Sequence, residues 1–539
     1  MTTDMPTNDV NVLVVPIGRP TFDVAFGAEH VTAALALLDR AVERPAAVLQ
    51  PDGAGNGGDA FFTDLDRLDT VLGRIDTATL DVVIVLQATF SDSSLIGRIA
   101  ERVDAPLVVW SFPEERTGER LRLNSLCGAN LAAYLLRRPP LASHRVEFLH
   151  LDPAPDGADG SAALSEAIRR AVTAPLPPTP DVTPHEPSGA SGTLGTAGAS
   201  GGSGNEVGRR LASMFHGDRI GVVGDPPDGF EPCRGDPDEL QALTGIQVER
   251  IALATLFERA DTVDEATRTA TELRVRSTME VPHDVEVAGM AESIALYGGL
   301  RALAAEHGWT ALTTRCWPEC MTEYGGAACT PMAMLTENGL PAVCEADMFG
   351  AATGLLLHHV AGTEPFVADL VDADTTDDTS VMWHCGVAPT TLAQPAVAVT
   401  AITHPNRRRA LANQFGLRPG RVTLARLSQA GGRIQLVIGG GEMLDRPRPF
   451  QGTCGVVQWD EPVADVLRTV FEVGLEHHLG IVYGDHRPAL AALADEWGIP
   501  VVWLGHTELG KTDLGNTELG NTEPARAGNG ADQRSGVTV

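Results

Sequence analysis

The chain has 539 residues, which predicts two or three domains rather than one. Its net charge of −31 excludes a surface built to bind nucleic acid or anionic membrane, because such a field repels both. A hydrophobic content of 43% is ordinary for a soluble globular protein, and no apolar run reaches the roughly 20 residues that a membrane helix needs. The polar, acidic N-terminus lacks the regions of a signal peptide, so we expect a cytoplasmic protein.

The positive charge of the chain comes almost entirely from arginine. Lys511 is the only lysine, and arginine supplies the rest of the positive charge. An acidic surface that is poor in lysine and rich in aspartate favours a halophilic host. A GC-rich genome that prefers arginine codons is the alternative, but codon bias alone does not explain a net charge of −31.

The eight cysteines are scattered, and most lie within or beside apolar runs. In a long cytoplasmic chain this pattern predicts reduced, buried thiols rather than a disulfide framework. Cys316 and Cys320 are four positions apart, which is a weak zinc signal without a second pair.

Residues 1–174 alternate short apolar runs with longer amphipathic stretches. The predicted buried strands are Val10–Pro16, Ala46–Leu49, Val82–Leu86, Pro106–Ser111 and Val146–Leu151. This alternation predicts a parallel sheet with helices on both faces, most simply a five-stranded flavodoxin-like domain. No G-x-G-x-x-G or P-loop occurs, so we expect no dinucleotide there. Residues 175–207 are rich in Pro, Ser and Gly, which predicts a flexible linker.

Residues 208–361 carry the pattern of a second Rossmann-like α/β domain. Its predicted strands are Arg219–Val223, Ala311–Cys316 and Ala342–Glu345, and a long helical region covers Val285–His307. The strand that ends at Glu345 is followed by an apolar helix, Met348–Val360.

In residues 362–507 the pattern changes, because strand-like runs follow one another directly. These runs are Phe366–Val371, Ser380–Cys385, Ala396–Ile402, Arg421–Leu427 and Ile434–Ile438. Consecutive strands predict a β-rich, barrel-like domain, which closes with the strand Leu479–Tyr483, the helix Pro488–Trp497 and the strand Val501–Leu504. Residues 508–539 repeat an acidic, Gly-containing pentapeptide and are predicted to be disordered.

Two carboxylates and a histidine pair are the candidate chemical groups. Glu345 ends a short apolar strand and Asp369 lies at strand spacing in FVADLVD; carboxylates at strand ends of α/β folds lie where ligands bind. His477 and His478 precede the apolar strand LGIVYGD, where a neutral imidazole can ligate a metal. Taken singly, these residues also fit solvated loop acids and core histidines. The later acids Asp372, Asp374, Asp377 and Asp378 are read as a solvated loop without calcium-loop spacing.

The segment CEADMFGAATGLLLHHVAGTEPFVAD resembles the metal-binding segment of the L-fucose isomerase family. The 24 positions between Glu345 and Asp369 match that family's pattern. The segment HHLGIVYGDHRPALAALADEWGIPV resembles the region of the family's third ligand, and counting back from Ile499 selects His478 over His477. PIGRPTFD, RLNSLCGAN, RCWPE and WHCGVAP resemble further family segments, so the resemblance covers most of residues 10–505.

The resemblance implies a fold, a cofactor and a set of site residues. The fold would be two flavodoxin- or Rossmann-like α/β domains followed by a β-rich, barrel-like domain. Glu345, Asp369 and His478 would bind Mn²⁺, and the two carboxylates would also be the acid and base. Arg19, Trp317 and His384 are the candidate substrate contacts, with core packing as the alternative for Trp317 and His384. The family forms hexamers with active sites between subunits, which would put Asn124, Ser125 and Trp110 at a neighbour's pocket.

The implied activity is aldose–ketose isomerisation of a monosaccharide. Moving a carbonyl from C1 to C2 removes a proton next to a carbonyl, and a divalent cation stabilises the charge that develops on oxygen. A carboxylate moves the proton between the two carbons. Two carboxylates and one imidazole suit Mn²⁺ better than a soft-ligand metal. A non-catalytic sugar-binding or regulatory protein, or a metal-dependent epimerase or aldolase, is the alternative, and the sugar stays open.

Overall fold

The computed structural model describes residues 10–42, 46–51, 60–153, 160–173, 204–287, 289–395 and 397–506. Most of the predicted linker and the whole predicted tail, residues 508–539, lie outside the described residues. The described residues belong to one compact unit that ends at His506, and the domain boundaries drawn from the sequence stay predictions. None of the helices in these ranges is long and apolar enough to cross a membrane.

Five parallel strands form the N-terminal sheet in the order β2-β1-β3-β4-β5, which is the predicted flavodoxin-like order. The strands are β1 (Val12–Ile17), β2 (Ala47–Val48), β3 (Val82–Gln87), β4 (Leu107–Ser111) and β5 (Val146–His150). The helices are α1 (Val24–Ala41), α2 (Leu65–Leu72), α3 (Ser93–Arg102), α4 (Ser125–Leu136) and α5 (Ser161–Thr173). Asp23, Asp64 and Asp92 cap the first three helices through their side-chain oxygens. The strands are continuous runs of mainly Val, Ile and Leu, and they are buried between these helices.

A four-stranded parallel sheet follows, in the order β7-β6-β8-β9. Its strands are β6 (Arg219–Val223), β7 (Gln247–Ile251), β8 (Ala311–Thr314) and β9 (Ala342–Val343). The associated helices are α6 (Gly204–Met214), α7 (Pro237–Thr244), α8 (Leu253–Asp261), α9 (Glu265–Thr278), α10 (His283–Glu286), α11 (Met290–His307), α12 (Cys329–Glu337) and α13 (Met348–Ala361). The single helix predicted over Val285–His307 is broken between α10 and α11, where Gly289 has a φ of 108° that no helix accommodates. The unpredicted β7 is a polar, partly exposed edge strand.

The C-terminal strands form a large, mostly antiparallel sheet that closes on itself. Its members are β10 (Phe366–Asp374), β11 (Thr379–His384), β12 (Thr400–Ile402), β13 (Ala412–Gly416), β14 (Gly420–Ser428), β15 (Gln435–Met443), β16 (Thr453–Trp459), β17 (His478–Tyr483) and β18 (Val501–Trp503). Pairing of β15 with β16 completes a six-stranded ring, β16-β11-β10-β17-β14-β15. Helices α14 (Val463–Val473) and α15 (Arg487–Trp497) complete the region. The predicted β-rich, barrel-like architecture is therefore present.

Several local predictions differ from the structure. The strand predicted over Ala396–Ile402 is limited to β12, and a short 3₁₀ turn over Thr390–Leu392 precedes it. The sequence gives no signal for β13 or β16, whose segments mix polar residues and glycine with apolar ones. Asp372 is not in a solvated loop: it is buried in β10, where it accepts from the Arg116 Nε at 2.7 Å. All eight cysteines are free, and seven of them are buried, as predicted.

Strand pairing and one turn position the candidate site. In the barrel, β10 pairs with β11 and β17, so Asp369 lies opposite Trp383 on one side and His478 on the other. Glu345 follows β9 in the turn that leads into α13. The end of the second sheet therefore faces one side of the barrel, and the predicted ligands come from both.

Candidate active site

Asp369 and His478 are direct cross-strand neighbours, and Glu345 reaches them from the turn after β9. The His478 Nε2 lies 3.4 Å from the Asp369 Oδ1 and 3.7 Å from the Glu345 Oε2. All three side chains are buried. The structure thus brings together the three residues that the sequence predicted as metal ligands, although 133 positions separate Glu345 from His478.

The turn that carries Glu345 has an unusual backbone. Glu345 and Ala346 have φ angles of 67° and 52°, in the left-handed region that residues other than glycine rarely adopt. A backbone hydrogen bond from Ala346 to Thr314 holds the turn against β8 at 3.0 Å. The Glu345 carboxylate then accepts from the Trp317 Nε1 at 3.0 Å and from the His477 Nε2 at 2.9 Å. Two donors therefore fix its orientation.

Asp347 orients His478. Its carboxylate accepts from the His478 Nδ1 at 2.8 Å, from the two terminal nitrogens of Arg426 at 2.7 and 3.0 Å, and from the Gly350 backbone at the start of α13. Because the Nδ1 of His478 donates to Asp347, its Nε2 presents a lone pair to Glu345 and Asp369. Arg426 is itself buried and lies 3.6 Å from Glu476, so its charge is matched on both sides.

Four buried side-chain atoms at the centre of the site have no hydrogen-bond partner among the described residues. They are the Asp369 Oδ1, the His384 Nε2, the His477 Nδ1 and the His478 Nε2. Buried polar atoms are almost always paired, so this cluster indicates a missing partner. Two carboxylates and an imidazole lone pair form a donor set that fits a divalent cation.

The other two histidines have different roles in hydrogen bonding. The His384 Nδ1 accepts from the Cys385 backbone at 2.8 Å, so its unpartnered Nε2 carries a proton and is a donor. The His477 Nε2 faces the Glu345 carboxylate and donates to it. The Nε2 atoms of His384 and His477 are therefore donors, whereas the unpartnered Nδ1 of the neutral His477 ring keeps a lone pair.

The two carboxylates differ in protonation. Burial raises the pKa of Asp369 to about 8, with the charges of Glu345 and Asp347 reinforcing the shift and His478 opposing it. Burial acts in the same direction on Glu345, but the hydrogen bond from His477 and the neighbouring imidazoles outweigh it and lower its pKa to about 2. In the metal-free chain the two carboxyls thus differ in their preference for a proton, whereas a cation bound between them would favour the ionised form of both.

An open cavity leads to these groups. The predicted substrate contacts Arg19, Trp317 and His384 all line it, and His478 lies behind it, fully buried. The other lining residues are Thr21, Phe22, Phe90, Asn124, Cys127, Phe230, Glu345, Asp369, Trp383, Cys385, His404, Asn406, Arg407 and His477.

The placement predicted for Trp110 is wrong, and Ser125 is equally enclosed. Trp110 is fully buried within its own chain and donates its Nε1–H to the Leu151 carbonyl, so it cannot line a neighbour's pocket. Ser125 is buried too, bonded to the Phe112 and Gln87 backbones. Asn124 lines the cavity of its own chain.

Sequence reasoning did not identify Asp347, Arg426 or Arg407. Asp347 lies two positions after Glu345 and immediately before a helix, where its pattern is that of an ordinary N-cap. Only its contact with His478, 131 positions away, distinguishes it. Arg407 is in a run of three arginines that has the pattern of a solvated loop.

Comparison with known proteins finds isomerases that are similar to this chain. Residues 382–504 match the family model described as the C-terminal domain of L-fucose isomerase. The chain is 29% identical over 496 residues to a sulfoquinovose isomerase of Alkalicoccus urumqiensis, covering 92% of this chain and 99% of that protein. It is 28% identical over 479 residues to a sulfoquinovose isomerase of Priestia aryabhattai, covering 88% and 95%. It is 29% identical over 497 residues to a sulfoquinovose isomerase of Clostridium sp. (strain MSTE9), covering 90% and 98%.

These comparisons span nearly the whole chain and include the barrel that carries His478. They confirm the resemblance predicted from the sequence: the chain is an isomerase, and it is similar to fucose-isomerase-like proteins.

Proposed function

We propose that the chain is a metal-dependent aldose–ketose isomerase and that Glu345, Asp369 and His478 bind a divalent cation, with Mn²⁺ as the expected ion. The observation that carries the proposal is the unpartnered Nε2 of His478, which lies between two carboxylates with its other nitrogen held by Asp347. A sugar-binding or regulatory protein has no need of such a donor set. A cation bound there would polarise the carbonyl and hydroxyl oxygens on adjacent carbons of the sugar.

In this proposal the chain's own residues move the protons. Asp369 and Glu345 both lie beside the Nε2 of His478, so one carboxylate can move a proton from C2 to C1 and the other can move a proton from O2 to O1. The His384 Nε2–H is free to donate to a substrate oxygen. Trp317 keeps Glu345 in place through its indole N–H and lines the cavity beside it.

We propose sulfoquinovose, a glucose derivative with a sulfonate on C6, as the aldose. This part rests on the relatives named sulfoquinovose isomerase, whose lengths the chain covers almost completely. A homo-oligomer, by resemblance a hexamer with active sites between subunits, remains the expected assembly.

Incubation of the purified protein with Mn²⁺ and sulfoquinovose tests the proposal. We expect the corresponding ketose, detected by ¹³C NMR, and faster turnover than with L-fucose, D-arabinose or L-arabinose. Exchange of one solvent deuteron into the C1 position of the product would support proton transfer by an enediolate route. Formation of an epimeric aldose would favour the epimerase alternative, and carbon–carbon cleavage would favour the aldolase. Absence of turnover on every aldose with Mn²⁺ bound would contradict the proposal.

A further inference from the structure

Two guanidinium groups lie beside one indole in the cavity. The Arg19 Cζ is 5.1 Å from the centroid of the Trp317 ring, and the Arg407 Cζ is 5.3 Å from it. The same indole donates its Nε1–H to Glu345. One side chain therefore connects the candidate cation site to a pair of arginines.

The two arginines differ in their partners. Arg19 donates to Asp92, which partly matches its charge. The Arg407 side chain makes no hydrogen bond and no ion pair within the part of the chain that the structure describes. Partial burial, and then the like charge of Arg19, lower the pKa of Arg407. An arginine in this position is stabilised if an anion joins it.

The loop that carries Arg407 is held in one conformation. The buried His404 Nδ1 accepts from the backbone N–H of Asn406 at 3.2 Å and of Arg407 at 3.3 Å. The Asn406 Oδ1 accepts from the Arg120 Nε at 2.8 Å, and Arg120 also donates to the Thr21 carbonyl, which ties the loop to the N-terminal region. The guanidinium is therefore presented to the cavity by a backbone that is already ordered, so a ligand need not order it.

The charge of the whole chain makes this arginine more unusual. The sequence has 71 acidic and 40 basic residues, so carboxylates that could pair with an arginine are abundant. The net field of the chain also repels anionic ligands at long range. A local group of unmatched cations is thus needed if an anion is to bind in this cavity. The planar guanidinium suits oxyanions, because it binds two oxygens at once.

We propose that Arg407, together with Arg19, binds the sulfonate at the far end of the aldose and selects sulfonated over neutral sugars. The inference rests on the proposed function and deepens it. With C1 and C2 at Glu345 and Asp369, the sugar chain would extend along Trp317, and its C6 substituent would lie at the arginine pair.

The test compares sulfoquinovose with 6-deoxyglucose, which has the same carbon chain without the sulfonate. For Arg407→Met we expect the KM for sulfoquinovose to rise about 10- to 100-fold, the range of a lost charge-assisted hydrogen bond. The KM for 6-deoxyglucose should change less than about twofold. A general structural defect would raise the KM for both sugars, so this contrast between the two substrates identifies a loss of sulfonate binding. Arg407→Lys should recover part of the loss, because it keeps the charge but not the paired geometry. Arg408→Met is the matched control, since Arg408 is the next residue, is exposed and does not line the cavity.

Titration calorimetry in EDTA separates this inference from the proposed function. The metal-free protein should bind sulfoquinovose more tightly than 6-deoxyglucose, and Arg407→Met should remove that difference even if no aldose is turned over. An equal loss for both sugars, or no loss in Arg407→Met, would overturn the inference and leave the isomerase proposal standing. Tighter binding of glucose 6-phosphate than of sulfoquinovose would overturn the assignment to a sulfonate.

Discussion

The Nδ1 of His478 lies 2.8 Å from the Oδ2 of Asp347, and this contact decides which nitrogen of His478 faces the two carboxylates. Asp347 is in turn paired with the buried Arg426 through two hydrogen bonds. A chain of charged side chains thus extends from Arg426 in β14 through Asp347 to the candidate cation site. Such partners behind a ligand set its tautomer and its basicity.

Asp347→Asn is expected to weaken Mn²⁺ binding by about 10- to 100-fold, the usual effect of losing a carboxylate that orients a metal-ligating histidine. The asparagine Oδ1 could still accept a hydrogen bond from the Nδ1 of His478. Its NH₂ group would then face the guanidinium of Arg426, and two donors cannot bond to each other. The measurement is the dissociation constant for Mn²⁺, determined by isothermal titration calorimetry. Asp104 is an exposed acid that does not line the cavity, so Asp104→Asn controls for the loss of one negative charge.

The same substitution also leaves Arg426 with fewer partners, and breaking a buried ion pair costs about 3–5 kcal/mol. A thermal melt therefore accompanies the titration, and the comparison is made below the melting temperature of the variant. Wild-type Mn²⁺ affinity in a folded Asp347→Asn protein would contradict the role given to this residue.

His477→Ala is expected to retain more bound metal than His478→Ala. His478 offers an unpartnered nitrogen to Glu345 and Asp369, whereas His477 donates a hydrogen bond to Glu345 and so positions it. Metal content after dialysis against a fixed Mn²⁺ concentration, determined by inductively coupled plasma mass spectrometry, checks the order. The reverse order would show that the ligand assignment is off by one position.

Stability and activity are expected to increase between low salt and molar KCl. A net charge of −31 causes self-repulsion in the folded chain, and the Debye length falls from about 10 Å at 0.1 M to about 3 Å at 1 M salt. Thermal melts and initial rates across a KCl series test this. A melting temperature that stays flat up to roughly 2 M KCl, a concentration within the strongly screened regime, would defeat the halophilic interpretation. It would leave the isomerase proposal untouched.

Much of the fold could be predicted because local patterns determine it. The buried parallel strands of the N-terminal sheet are continuous apolar runs such as Val82–Leu86, which the sequence displays directly. Strands β7, β13 and β16 contain polar residues or glycine. They therefore show neither a continuous apolar run nor a clear alternation of apolar and polar residues, and the sequence does not identify them as strands. Pairing order inside the barrel depends on contacts between distant segments, and no local pattern encodes closure of β15 onto β16.

Some residues of the candidate site could also be predicted from the sequence, and others could not. Glu345, Asp369 and His478 could be selected because their spacing resembles a known family. Asp347 and Arg407 could not, because their sequence surroundings match an ordinary helix cap and an ordinary charged loop. Their chemistry arises only when the fold sets Asp347 against His478 and Arg407 against Trp317.

The most direct test of the central claim measures bound metal and turnover together. Protein stripped with EDTA is titrated with Mn²⁺, and ketose formation from sulfoquinovose is followed alongside the bound metal, for the wild type, Glu345→Gln and Asp369→Asn. We expect wild-type activity to rise in proportion to bound Mn²⁺, up to one ion per chain. In both variants we expect kcat to be at least about 10³-fold lower (about 4 kcal/mol in the barrier), because each loses a group that acts in the proton transfer. Full activity in the stripped protein, or in either variant, would contradict this claim.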